Sequence, residues 1–172
     1  SLGNALLNDN ISLVGDEINF NGTATGTGNL TLKPFTVSQA IAIGGAGDTG
    51  LTTLDLTATD IAKFSGGTFS SLIIGNLSGT GAITLAGNAN FAQPTTIQSP
   101  AGTGSFNSNG FDISGIGRLG IEVGDSINIS NSTISPTTGT LDVRLNADRD
   151  GNGGTVTITD SSSINTGGSN IT

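Results

Sequence analysis

Ser126-Ile127-Asn128-Ile129-Ser130-Asn131-Ser132-Thr133-Ile134 and Thr155-Val156-Thr157-Ile158-Thr159-Asp160-Ser161-Ser162-Ser163-Ile164 are two versions of one phrase. They are offset by about 29 residues, and a spacing of 20–50 residues marks stacked repeat units. Within each phrase an aliphatic residue alternates with a small polar one, which places one face of a short strand inward. The same alternation recurs at Ile11–Leu13, Ile18–Phe20, Leu30–Leu32, Ile41–Ile43, Leu54–Leu56, Ile83–Leu85, Phe111–Ile113 and Leu141–Leu145. Between these bursts lie clusters such as Asn21-Gly22 and Asn109-Gly110, whose residues tolerate the left-handed backbone of tight turns.

Many short strands suit a sandwich, a barrel or a parallel solenoid. Strands of three residues are short for a sandwich, and 7 Phe are the only aromatic residues among 172. The expectation is therefore an all-β chain forming a right-handed parallel β-helix, a single β-solenoid segment over residues 1–172. At roughly 20–29 residues per coil it would make about six to eight coils. One helix interrupts the pattern near residues 57–65. Thr57 is placed to cap it, Asp60 completes a capping box, Ile61 and Phe64 share a face, and Gly66 stops it. Its expected role is to cover the side of the strands.

Composition removes several functions. There is no His and no Cys, so a Ser-His-Asp or Cys-His nucleophile, an ordinary zinc site and a covalently attached haem are all excluded. With 5 basic against 13 acidic residues and net charge −8, the basic footprint of a nucleic-acid partner is missing. Disorder is disfavoured as well, because 34% of the residues are hydrophobic and only 10% are charged. No stretch approaches the ~20 apolar residues of a membrane-spanning helix, and Ser1–Leu7 lacks the basic start of a signal peptide. The expectation is a chain without membrane insertion.

The run Leu30-Thr31-Leu32-Lys33-Pro34-Phe35, then Ile41-Ala42-Ile43-Gly44-Gly45-Ala46-Gly47, is followed by Leu54-Asp55-Leu56-Thr57 and the helix. Leu72-Ile73-Ile74-Gly75, Gly81-Ala82-Ile83-Thr84-Leu85 and the phrase Leu145–Gly154 come next. In this order they resemble the repeat region of filamentous-haemagglutinin-type proteins, the long surface proteins that two-partner secretion exports from Gram-negative bacteria. The resemblance covers most of residues 30–172, and the family's secretion domain with its Asn-Pro-Asn-type motifs has no counterpart here. It implies a β-helical internal segment of a longer secreted adhesin at the cell surface. It also implies an outer-membrane transporter as partner of the parent protein, an unidentified receptor or glycan as ligand, and end-to-end self-association of an excised piece.

Four further motifs bear on chemistry. Gly45-Ala46-Gly47-Asp48-Thr49-Gly50 fits G-x-G-x-x-G but leads into another strand, whereas a dinucleotide loop opens a helix. Seven Asn-x-Ser/Thr triplets, at Asn10, Asn21, Asn29, Asn76, Asn128, Asn131 and Asn170, read as suppliers of turn and ladder hydrogen bonds. A polysaccharide-acting enzyme is the alternative function. It would rest on carboxylate pairs such as Asp112 with Asp142, or Glu122 with Asp125, against solvated surface carboxylates as the plainer account. An ice-binding solenoid would need ladders of Thr, and only Thr31, Thr84 and Thr157 occupy suitable outward positions.

Asp148-Arg149-Asp150-Gly151-Asn152-Gly153 matches the opening of a calcium loop, in which alternating oxygens converge on the ion. Asp148, Asp150 and Asn152 are the candidate ligands. Thr159 stands where the closing carboxylate would be, with Asp160 beside it. Two readings stay open: a calcium-stabilised turn, and a solvated turn in which Asp148 and Asp150 cap amides while Arg149 offsets their charge.

Overall fold

The computed structural model describes residues 5–7, 9–47, 50–65, 68–159 and 161–172. In chain order its elements are β1 (Ala5–Leu7), β2 (Ile11–Val14), β3 (Ala24–Gly26), β4 (Asn29–Lys33), β5 (Ala40–Ile43), β6 (Thr53–Leu56) and α1 (Ala58–Ser65). There follow β7 (Ser71–Gly75), β8 (Ile83–Leu85), β9 (Ala89–Asn90), β10 (Thr95–Ser99), β11 (Phe106–Asn107) and β12 (Ile113–Val123). β13 (Ile127–Ser130), β14 (Thr133–Asn146), β15 (Val156–Thr159) and β16 (Ser163–Ile164) complete the chain.

The strands sort into an eight-stranded sheet, β16-β14-β12-β10-β7-β4-β2 with β9 beside β12, and a six-stranded sheet, β15-β13-β11-β8-β5-β6. A two-stranded sheet joins β1 to β3. Neighbouring strands pair in parallel throughout, as in β2 with β4 and β13 with β15.

This corrects the expected all-β, right-handed parallel β-helix. The architecture is two parallel sheets of unequal size with one helix, α/β-like, and no uniform coil generates it. Ile11 pairs with Leu30, Leu30 with Leu72, and Leu72 with Thr95, steps of 19, 42 and 23 residues. The long step arises because β6 and α1 are inserted between β5 and β7, so β4 meets β7 across the insertion. Alternation marks which strand face turns inward, but it carries no record of how much chain separates two partners. Strand length was misjudged for a related reason. β12 has 11 residues and β14 has 14, because both run on through a register shift at Gly115/Gly117. At that break Gly117 takes φ +68°.

Most of the inward aliphatic residues of the two larger sheets enter a single hydrophobic cluster, Val156 and Ile158 of β15 being exceptions. Leu32, Ile43, Leu56, Ile74, Leu85, Ile97, Ile121 and Ile129 have no exposed surface. Each fully buried aliphatic side chain contributes roughly 1.5–3 kcal/mol. β10 was missed as a strand because Thr95, Gln98 and Ser99 are polar. All three are buried and each donates to a backbone carbonyl, Ser99 Oγ to that of Gly81 (2.6 Å), Thr95 Oγ1 to that of Gln93 (2.9 Å) and Gln98 Nε2 to that of Gly75 (3.4 Å).

The helix forms as its capping residues require. The Asp60 amide donates to Thr57 Oγ1 (3.2 Å), and the Thr57 amide donates to Asp60 Oδ2 (3.1 Å). Ile61 and Phe64 are buried. The expected stop, Gly66, lies outside the described residues. Ile18-Asn19-Phe20 belongs to no strand. Phe20 faces the helix instead: its ring meets Phe64 edge-on at 5.5 Å, and its amide donates to Asp60 Oδ1 (3.0 Å).

Candidate functional site

On β12, Leu119, Ile121 and Val123 are buried, so Arg118, Gly120 and Glu122 project from the opposite face. On β14, Leu141 and Val143 are buried, and Asp142, Arg144 and Asn146 project outward. The register sets Arg118 beside Asp142, Gly120 beside Arg144 and Glu122 beside Asn146. On the other flank, Thr96 of β10 adjoins Gly120 and Gln98 adjoins Glu122. Three of the chain's five basic residues, Arg118, Arg144 and Arg149, thus gather on one side of a molecule with net charge −8.

Glu122 organises two of them. Its Oε1 lies 3.6 Å from Arg144 Nη1, and its Oε2 accepts from Arg149 Nε at 3.3 Å. The arginine side chains keep about half their surface in solvent (43% and 51%), while that of Glu122 keeps 15%. Such pairs hold geometry more than they stabilise. Asp142 is held from the other side. Its Oδ1 accepts from Ser169 Oγ (2.8 Å) and from the Asn170 amide (3.1 Å). These two bonds, with a smaller contribution from the Arg118 charge, hold its carboxyl below the usual range. Arg118 itself is exposed and makes no ion pair among the described residues. Arg118, Asp142, Val143, Arg144, Asn170 and Thr172 line a cleft of about 140 Å³.

The candidate calcium ligands singled out in the sequence are placed elsewhere. Asp148 Oδ1 accepts from the Gly153 amide (2.8 Å). Asp150 Oδ1 accepts from the Asn152 amide (3.2 Å), and its Oδ2 accepts from Asn152 Nδ2 (3.0 Å) and the Gly102 amide (2.7 Å). The bond from the Asn152 side chain is the main reason that the Asp150 carboxyl is held low. The three candidate calcium ligands therefore share one turn, with Asn152 donating its amide nitrogen toward Asp150. Arg149 turns away to Glu122 instead of offsetting the two aspartates. Asp160 lies outside the described residues.

Asp112 and Asp142 do not meet. Asp112 accepts from the Thr133 amide (2.7 Å) just before β12 begins, and Asp142 lies opposite Arg118, beyond the register break. Asp125 accepts from its neighbour Ser126 (2.9 Å), while Glu122 is committed to the two arginines. Gly45 and Gly50 bracket a loop that leads to β6, with Asp48 and Thr49 outside the described residues. The outward row across the six-stranded sheet runs Asp55, Ala42, Thr84, Asn107, Asn128, Thr157, so threonines do not form a ladder. The asparagines do serve as connectors. Asn10 Oδ1 accepts from the Asn29 amide (2.9 Å), and Asn29 Oδ1 accepts from Ser71 Oγ (2.8 Å).

The Arg118–Arg144 cleft was not anticipated. A signal for it was present: Arg118, Gly120 and Glu122 alternate with Leu119, Ile121 and Val123, which already assigns them to one outward face. No family model matches the chain, and neither a curated protein nor a solved structure does.

Proposed function

We propose that the chain is a structural, adhesive segment of a secreted bacterial surface protein and works without catalysis. One observation carries this reading. Five aspartates each accept a backbone amide from a distant stretch of chain: Asp16 from Thr36, Asp60 from Phe20, Asp112 from Thr133, Asp142 from Asn170 and Asp150 from Gly102. Their partners lie 20 to 48 residues away. A general acid needs a raised pKa and a second carboxylate across a cleft. Asp16 is instead held low chiefly by the Thr36 amide, Asp142 by the Ser169 hydroxyl and then the Asn170 amide, and Asp150 chiefly by the Asn152 side chain. Carboxylates spent in this way fasten one segment to the next, as a load-carrying surface protein requires.

The resemblance to filamentous-haemagglutinin-type repeats supports the same reading. It adds export of the parent protein through an outer-membrane transporter and display at the surface of a Gram-negative bacterium. The test immobilises the purified chain on beads and measures their retention on host and bacterial cells, alongside reducing-end release from pectin and other acidic polysaccharides. Retention without release is expected. Cleavage abolished by changing Asp112, Asp125 or Asp142 would replace the structural reading with an enzymatic one.

A further inference from the structure

We infer that the pocket between α1 and β9 binds the acetamido group of an N-acetylated amino sugar. Ala58, Ile61, Ala62, Asn88 and Asn90 line it, and its volume is about 230 Å³. The first three lie three and four residues apart on α1 and so share one face of the helix, an apolar wall. Across from it stands β9, which pairs with β12 and with no other strand. The Ala89 amide donates to the Asp112 carbonyl (2.9 Å), and the Phe91 amide donates to the Ser114 carbonyl (2.8 Å). Main-chain groups alternate between the two flanks of a strand, so the Asn90 amide and carbonyl point away from β12, to the flank where α1 packs. Neither has a hydrogen-bond partner among the described residues. The side chains add donors. Asn88 Oδ1 accepts from the Asp112 amide (3.0 Å) and Asn90 Oδ1 from Thr137 Oγ1 (3.0 Å). Both oxygens are thus held, while both Nδ2 groups donate to nothing among the described residues.

Three features narrow the ligand. The Asn90 main chain offers one donor and one acceptor, the pair that a secondary amide completes with its own C=O and N–H. The alanine and isoleucine wall suits the methyl group that an acetamide carries beside its carbonyl. No Asp, Glu, Lys or Arg lines the pocket, so a neutral ligand fits better than an ion. The room is that of roughly seven to eight waters, enough for one sugar residue. A peptide strand is a poorer match. β9 is only Ala89–Asn90, so an added strand would gain a single pair of main-chain bonds where edge recognition relies on several. The inference goes beyond the adhesive reading and does not depend on it.

The test is an NMR titration of the full chain with N-acetylglucosamine, following the Asn90 main-chain amide, the Asn88 and Asn90 side-chain amides and the Ala58 and Ala62 methyls. Parallel arms use glucose, glucosamine and N-acetylalanine methylamide, the last standing for a peptide. Saturable shifts with N-acetylglucosamine are expected, with weak or no response to the other three. The double variant Asn88→Asp/Asn90→Asp keeps an oxygen for the Asp112 amide and for Thr137 but removes both Nδ2 donors. Ala62→Leu crowds the apolar wall from an exposed position with a strong helix former. Each should weaken binding about tenfold or more and leave the melting transition in place. The inference is overturned if N-acetylglucosamine gives no saturable shift at these groups, or if glucose, glucosamine or the peptide unit binds equally well. It is also overturned if Ala62→Leu binds as the native chain does. A chain that retains beads on cells yet fails this titration loses only this inference.

Discussion

β13 and β15 carry the same alternation and lie side by side in one sheet, with Ile127 opposite Val156 and Ile129 opposite Ile158. Their burial is opposite. Ile127 and Ile129 have no exposed surface, whereas Val156 and Ile158 keep 43% and 48% of theirs. β13 is flanked by β11 and β15, while β15 is the last strand of its sheet. Side-chain parity is a property of the strand itself. Burial belongs to whatever lies over it, and the two must be argued separately.

The largest expected effect breaks or sustains that distinction. Ile129→Asp places an unpaired charge inside the cluster and should cost several kcal/mol, on the order of 4. That is a large share of the total stability of a domain. Ile158→Asp, one strand away at the same register, should cost less than about 1 kcal/mol. Urea unfolding of the two variants measures the difference. Equal losses would mean that β15 is as covered as β13.

The same distinction explains what was legible in advance. The 29-residue phrase located the β13–β15 register correctly, because alternation and offset are local properties of the chain. Ile18-Asn19-Phe20 shows the limit. It alternates as well as any strand, yet Asp60 captures the Phe20 amide and Phe64 captures its ring. A helix about 40 residues downstream decided its conformation. The uniform coil failed likewise, since the step from β4 to β7 depends on an insertion that periodicity does not register. At the cleft, the outward parity of Arg118 and Arg144 could be read. Their meeting across β12 and β14 needed the register break at Gly115/Gly117.

Covered and open carboxylates extend the comparison. Asp60 and Asp150 both accept an amide from a remote segment, but Asp60 is buried and Asp150 is exposed. Asp60→Ala leaves the Phe20 amide without its partner and undoes the capping box, which should cost about 2–3 kcal/mol in thermal or urea unfolding. Asp150→Ala frees amides that water reaches, and its effect should be clearly smaller. If the two were equal, burial would not set the worth of these staples.

Acid should release the open staples together. Asp16 is held low chiefly by the Thr36 amide, Asp142 by Ser169 and Asp150 by Asn152. A carboxyl whose folded pKa lies below its unfolded value binds fewer protons in the folded chain. Its contribution is fully present above the ordinary value of 3.8 and is lost as pH falls through the lower folded value. Melting temperature should therefore hold steady down to about pH 4 and then decline. Asp142→Asn should flatten part of that decline. A decline beginning well above pH 5 would point to other groups.

Calcium should produce the smallest effect, because the turn that could hold it is already closed by its own bonds. Asp148 is engaged by the Gly153 amide, and Asp150 by two groups of Asn152 and by the Gly102 amide. An arriving ion would have to displace these donors and turn the Asn152 oxygen inward, so it gains only the difference. A weak extracellular-type site with a dissociation constant near ~1 mM would, at ~10 mM calcium, raise the melting temperature of a chain this size by roughly 3–6 °C. The expected shift is less than about 1 °C on the same scale, both for the native chain and for the double variant Asp148→Asn/Asp150→Asn. A shift of several degrees in the native chain that the double variant lacks would show that the turn reopens around the ion. Asp150 would then exchange its hold on Gly102 for a metal, and an exposed staple would prove to be replaceable where the buried Asp60 is not.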